Sequence, residues 1–206
     1  MKEKQSFLSS IKFKHFHDLV DTLIVIESGS ISAMGSPDNV MKDGRVKKIV
    51  MPDFSGIHDL RSKRDLKRND TPPAAIVLRH LSYAYDDVLV LNDIGLDIRA
   101  AEFVAIIGEN GSGKTTLVKH FNRLLSPTSG EVFIQGKDTR TRTIASLARD
   151  VGLVFQNPDH MFFADTVKDE IKFGLKNLNI SDEDRAIDGA LNEVGLLHTD
   201  RGNPHS

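Results

Sequence analysis

The 206 residues contain no cysteine, which excludes disulfides and thiolate metal sites and fits a reducing compartment. No apolar run approaches the length of a membrane span. The longest, Leu23-Ile24-Val25-Ile26 and Phe103-Val104-Ala105-Ile106-Ile107, are strand-sized, so any membrane role is expected to be peripheral. The opening Met1-Lys2-Glu3-Lys4-Gln5-Ser6 lacks the long apolar stretch of a secretory leader. The formal net charge is only −2, so bulk charge gives no reason to expect a nucleic acid or an anionic lipid surface as partner. Internal repeats and low-complexity tracts are absent too. What remains, 27% charged and 39% hydrophobic residues, is the balance of an ordinary globular chain.

Three regions stand out. In the first, residues 1–50, Thr22 to Glu27 reads as a strand, Ser28-Gly29 as a turn and Ser30 to Met34 as a return strand. Ser36 and Pro37 then read as the N-cap and first position of a short helix, where the missing proline N–H costs nothing. The second region, residues 51–74, reads as a linker. Its run Arg61-Ser62-Lys63-Arg64-Asp65-Leu66-Lys67-Arg68 suits a solvated segment better than a phosphate- or RNA-binding one, and Pro72-Pro73 blocks regular structure.

The third region, residues 75–206, alternates strand-like and helical patterns. Strands are predicted near Ile76–Leu81, Val88–Ile98, Phe103–Ile107, Glu131–Gln135 and Val151–Phe155. Three apolar helix faces follow: Leu117, Phe121, Leu124 and Leu125; Val167, Ile171, Leu175 and Leu178, behind a Thr166-x-x-Asp169 cap; and Ile187, Ala190, Leu191 and Val194, behind Ser181-x-x-Asp184.

Chemistry enters at Gly108-Glu109-Asn110-Gly111-Ser112-Gly113-Lys114-Thr115, which fits the phosphate-loop pattern G-x-x-x-x-G-K-[ST]. Gly108, Gly111 and Gly113 let the backbone curl with no side chain in the way of phosphates. The loop N–H groups, with the positive end of the helix that follows, form an anion nest. Lys114 is the residue expected to neutralise the β- and γ-phosphates in catalysis. The Thr115 hydroxyl is placed for Mg²⁺, and Thr116 lies near enough for the α-phosphate. ATP and Mg²⁺ are thus the expected ligands. A phosphate loop alone does not separate kinases, GTPases, helicases and transport ATPases.

The flanks of the loop resemble the nucleotide-binding domain of ABC transporters. Leu81-Ser82-Tyr83-Ala84-Tyr85, Val90-Leu91-Asn92-Asp93-Ile94 and Ala101-Glu102-Phe103 follow that family's opening pattern. The resemblance implies that Tyr85 stacks on adenine. Val151-Gly152-Leu153-Val154-Phe155-Gln156-Asn157-Pro158-Asp159 resembles the family's Q-loop, which implies a role for Gln156 at Mg²⁺ and the attacking water. The Phe-Gln-Asn-Pro-Asp wording and Lys119-His120-Phe121-Asn122-Arg123-Leu124-Leu125 look most like cobalt and energy-coupling-factor importers. The implied fold is α/β: a P-loop NTPase, as an incomplete ABC-type ATPase half-domain with an antiparallel β subdomain. The implied partners are a transmembrane transporter subunit and a second ATPase domain, on the cytoplasmic face of the membrane.

Two of the family's motifs are missing. The sequence holds no Leu-Ser-Gly-Gly-Gln signature and no apolar strand ending in Asp-Glu. Residues 21–40, meanwhile, resemble the closing strands of such a domain, yet they precede the loop. This order implies a piece of a tandem ATPase: the tail of one domain, a linker and the front of the next. His15 and His17 read as surface histidines, not as the family's switch histidine. Turnover by this chain alone is not expected. A non-catalytic nucleotide-binding module, or another P-loop enzyme such as a small kinase, stays open at this point.

Overall fold

The computed structural model describes residues 20–46, 72–155, 157, 161–197 and 202. The chain divides into two compact units, Met1–Arg142 and Thr143–Ser206.

The first unit is built on two sheets. Strands β1 (Thr22–Glu27) and β2 (Ser30–Gly35) form an antiparallel hairpin about the Ser28-Gly29 turn. A short helix, α1 (Pro37–Val40), follows. Ser36 stands at its N-cap, but the Ser36 carbonyl, not the side chain, accepts from Asn39 and Val40. The second sheet begins with β3 (Ala74–Tyr85) and β4 (Val88–Arg99), which pair antiparallel. Strand β5 (Val104–Ile107) leads through the glycine loop to α2 (Lys114–Phe121), followed by β6 (Ser129–Ile134) and β7 (Lys137–Asp138). The four-stranded sheet runs β4-β3-β6-β7 and is antiparallel throughout.

The other sheet runs β2-β1-β5, with β1 parallel to β5. A continuous apolar run is the mark of a strand buried on both faces. Leu23, Ile24, Val25 and Ile26 meet that description: none is more than 2% exposed. Burying each such side chain contributes about 1.5–3 kcal/mol. The segment at the start of the chain is thereby held against the strand that feeds the loop, with Ile24 opposite Ile106 and Val25 opposite Ile107. Polar contacts lock the register at the strand entrance. Asp21 N–H donates to the Phe103 carbonyl at 2.9 Å, Phe103 N–H donates to Asp21 Oδ2 at 2.8 Å, and Thr22 Oγ1 donates to Glu102 Oε1.

Helix α2 ends sooner than its apolar spacing predicts. Leu117 and Phe121 are buried, but Leu124 and Leu125 lie beyond the helix, and Leu124 is exposed. The backbone turns at Arg123, whose φ of 60° cannot continue a right-handed helix.

In the second unit, α3 (Ile144–Leu147) is capped by Thr143 Oγ1, which accepts from Ser146 N–H. Helices α4 (Val167–Asn177) and α5 (Glu183–Glu193) follow. The Thr166 cap of α4 forms as predicted: its hydroxyl accepts from Asp169 N–H at 3.1 Å and donates to Asp169 Oδ2 at 2.7 Å. The predicted Ser181–Asp184 cap does not form. The helix starts one residue later than that pattern requires: Asp182 occupies the N-cap without a side-chain bond, and Asp184 pairs with Lys168 of α4 at 3.0 Å. On α5, Ile187 and Leu191 are buried, whereas Ala190 and Val194 are exposed.

The predicted strand Val151–Phe155 is not one. No strand lies among the described residues of this unit, so the segment has no ladder to join, and Val154 is 82% exposed. Apolar content alone cannot supply the hydrogen-bonding neighbours a strand requires.

Candidate functional site

The phosphate-loop residues come together at the end of β5. Gly108 and Gly113 show why this loop needs glycine. Gly108 has φ 154°, and a Cβ there would lie 2.2 Å from the Ile26 carbonyl of β1. Gly113 has φ 105°, and its Cβ would lie 2.8 Å from Leu91 Cδ2 on β4. The loop is thus pressed between two strands, and side chains at these points would force it open.

Glu109, Asn110 and Gly111 are exposed at the crest of the loop, whereas Ser112 and Gly113 are buried. Ser112 Oγ has no hydrogen-bond partner among the described residues. Gly113 is the N-cap of α2 and offers no side chain to the first helical N–H groups. Such groups, at the positive end of the helix, suit an anion. Lys114 Nζ crosses the loop and donates to the Gly108 and Glu109 carbonyls at 2.8 and 2.7 Å. Thr115 is exposed, as a hydroxyl offered to a cation must be. Thr116 is buried, and its carbonyl accepts from His120 Nδ1 at 2.8 Å.

Among the described residues no group of three or more His, Cys, Asp or Glu side chains could hold a metal ion by itself. The residues present fit a Mg²⁺ that is carried by phosphate oxygens and to which Thr115 would offer its hydroxyl.

Tyr85 closes β3 opposite Val88 and is 43% exposed. Its ring meets that of Tyr83 edge to face, with centroids 4.9 Å apart. Tyr83 pairs in register with Leu91, whose side chain lies against Gly113. Tyr85 therefore stands two residues from a position tied directly to the loop. Gln156 lies outside the described residues, as do His15 and His17.

Sequence reading missed two parts of the site. One is the β1–β2 turn. Gly29 N–H donates to the Ser112 carbonyl at 3.1 Å, and the Gly29 carbonyl accepts from Asn92 N–H at 2.9 Å, so the turn bridges the loop and β4. A cleft of about 350 Å³ opens between Glu27 and Ser28 of this turn and the loop residues Glu109 to Ser112. The other part is His120, which is 1% exposed on α2. Burial pushes its imidazole below the usual histidine range, against a smaller upward pull from the Thr116 carbonyl. Its burial was foreseeable from its place three residues after Leu117, on the inner face of the helix.

The chain is similar to known proteins in both sequence and fold. A profile of the ABC transporter family matches residues 91–205. A putative ABC transporter ATP-binding protein of Methanosarcina acetivorans is 39% identical over 183 residues, covering 89% of this chain and 34% of that protein. The energy-coupling factor transporter ATP-binding protein EcfA1 of Latilactobacillus sakei is 42% identical over 125 residues, covering 59% of this chain and 45% of that protein. The structure of cbiO1 from Clostridium perfringens, described as part of the ABC transporter complex cbiONQ, superposes with a TM-score of 0.57 at 31% identity, covering 64% of this chain and 55% of that one. The chain spans about a third of the length of the Methanosarcina relative.

Proposed function

This chain belongs to the ABC transporter family, and on that premise we propose that it supplies the phosphate-binding half of an ATP site in a membrane transport ATPase. One observation carries the reading. The loop Gly108–Thr115 is held at the end of the parallel strand β5, crossed by Lys114, and continues into a helix whose first N–H groups have no side-chain cap. In this reading the loop N–H groups and Lys114 hold the β- and γ-phosphates, and Thr115 meets the Mg²⁺ that travels with them. Glu109, Asn110, Gly111 and Ser112 lend backbone donors, and Tyr85 stacks on the base. By its resemblance to the family's Q-loop, Gln156 is the residue assigned to the metal and the attacking water in this reading.

Calorimetry tests the core of this. Charge-assisted contacts contribute about 1.5–3 kcal/mol, so Lys114→Ala is expected to weaken Mg-ATP binding about ten-fold or more. Equal binding by the two proteins would remove the basis of the proposal.

Residues 1–50 are read as the tail of a preceding ATPase domain, 51–74 as a linker and 75–206 as the front of a second domain. This order is supported by a second Methanosarcina relative, from M. mazei, which aligns over 204 residues at 38% identity and covers 94% of this chain but 38% of that protein. The hairpin, linker and loop thus find counterparts within one longer protein. The partners in this reading are a transmembrane subunit and a second ATPase domain, at the cytoplasmic face of a membrane. Among the described residues no helix is long and apolar enough to cross one.

Hydrolysis needs a carboxylate to orient water and donors to stabilise the moving phosphoryl group. Since the sequence holds neither the Leu-Ser-Gly-Gly-Gln signature nor the Asp-Glu strand, the 206 residues alone are expected to bind without turnover. Magnesium-dependent phosphate release that vanishes in Lys114→Ala would overturn that part of the reading and leave the binding site standing.

A further inference from the structure

Tyr85 ends β3 beside the turn into β4 and is 43% exposed. The Tyr85 ring packs at 89° against Tyr83, with centroids 4.9 Å apart. The Tyr83 ring packs at 75° against His120, again at 4.9 Å. Edge-to-face pairs of this kind are attractive and fix mutual orientation.

His120 ends the series on the loop's own helix. A carbonyl can only accept, so Nδ1 carries the proton in its 2.8 Å contact with the Thr116 carbonyl. Nε2 is then the unprotonated nitrogen, buried without a hydrogen-bond partner among the described residues. A leucine at this position would fill the volume without burying an unpaired polar atom. Histidine supplies what leucine cannot: a flat edge for Tyr83 and a bond to the turn that carries Lys114 and Thr115.

We propose that Tyr83 and His120 are positioning residues that hold the Tyr85 ring at a fixed offset from the phosphate loop, and so set a preference for triphosphates bearing an aromatic base over bare polyphosphate. The proposal rests on the reading of Tyr85 as the adenine platform. The rings transmit position, while the loop by itself binds phosphate.

The test compares magnesium-ATP with magnesium-tripolyphosphate as probes of the full chain in calorimetry. Tyr83→Leu is expected to weaken ATP binding about three- to ten-fold and to leave tripolyphosphate binding within two-fold. His120→Leu should move the same ratio in the same direction, and Tyr83→Phe, which keeps the ring, should leave it unchanged. Equal losses for both probes in Tyr83→Leu and His120→Leu would make the two residues supports of the fold alone and overturn the proposal, as would no loss for either probe. Tyr85→Ala separates the two ideas. If it abolishes the preference for ATP while Tyr83→Leu and His120→Leu keep it, the stacking reading stands and the positioning one fails. If none of the three variants alters the preference, both fail.

Discussion

Strand β1 and helix α4 each present an apolar pattern, and the two meet different fates. Leu23 to Ile26 of β1 are buried on both faces of the strand. Val167, Ile171 and Leu175 of α4 and Leu178 at its C-cap share one face at the expected spacing, but each is only half-buried. The strand is flanked by β2 and β5. The helix has α5 beside it, joined in part by ion pairs from Lys168 to Asp184 and from Lys172 to Glu183. An apolar pattern thus tells which face seeks cover, whereas the neighbours determine how much of it is obtained. Phe163 and Phe173 underline the contrast, stacked edge to face at 4.4 Å while 62% and 50% exposed.

The largest expected effect lies in β1. Ile24→Ala removes a side chain that is fully buried between Met34 and Ile106, and is expected to cost about 2–5 kcal/mol. Ile171→Ala on α4 should cost about 1 kcal/mol or less, since its site is already open to water. Urea unfolding followed by circular dichroism measures both. Similar losses would mean that α4 is covered in solution as fully as β1.

Next in size is the N-cap of α4. Thr166→Ala leaves Asp169 N–H without its acceptor and is expected to cost about 1 kcal/mol. The loss should appear as faster amide exchange in the first turn of α4, with β1 and β5 unchanged. If exchange rises equally in β1, the two regions unfold as one.

The smallest effect is pH-dependent and belongs to the first unit. Burial holds the His120 pKa in the folded chain below its unfolded value of 6.5. The unfolded chain therefore takes up its proton first as pH falls, and stability is lost from about pH 6.5 down to the folded pKa. Above about 6.5 the contribution is complete and flat. Melting temperatures across this window should decline less in His120→Leu than in the parent. An unchanged slope would place the titration elsewhere.

How much could be read beforehand depends on how local the cause is. Thr22–Glu27 was legible residue for residue, since an apolar run bounded by Ser28-Gly29 has few other uses. The loop was legible because its glycines, lysine and threonine each answer a local demand. The pairing of β1 with β5 was not, because it joins residues some 80 positions apart, and an apolar run tells that a strand is covered without naming its partner. Val151–Phe155 misled for a related reason: its composition was that of a strand, but a strand also needs a ladder. Tyr85 could be singled out through the family resemblance of the segment that holds it, while the Tyr83–His120 contact that backs it required the packing of β3 against α2.

The parallel pairing of β1 with β5 also orders events in time. A ribosome releases the chain from its first residue onward, so Leu23 to Ile26 emerge well before the strand they are to join. At about 5–20 residues per second, the 80 positions between Thr22 and Glu102 take roughly 4–16 s to synthesise. Hairpins close in microseconds, so β2 pairs with β1 almost at once, while the other edge of β1 waits with its hydrogen-bonding groups and apolar side chains in water. For those seconds the edge of β1 that faces β5 in the finished unit lacks that partner, an open edge of the kind that invites other strands.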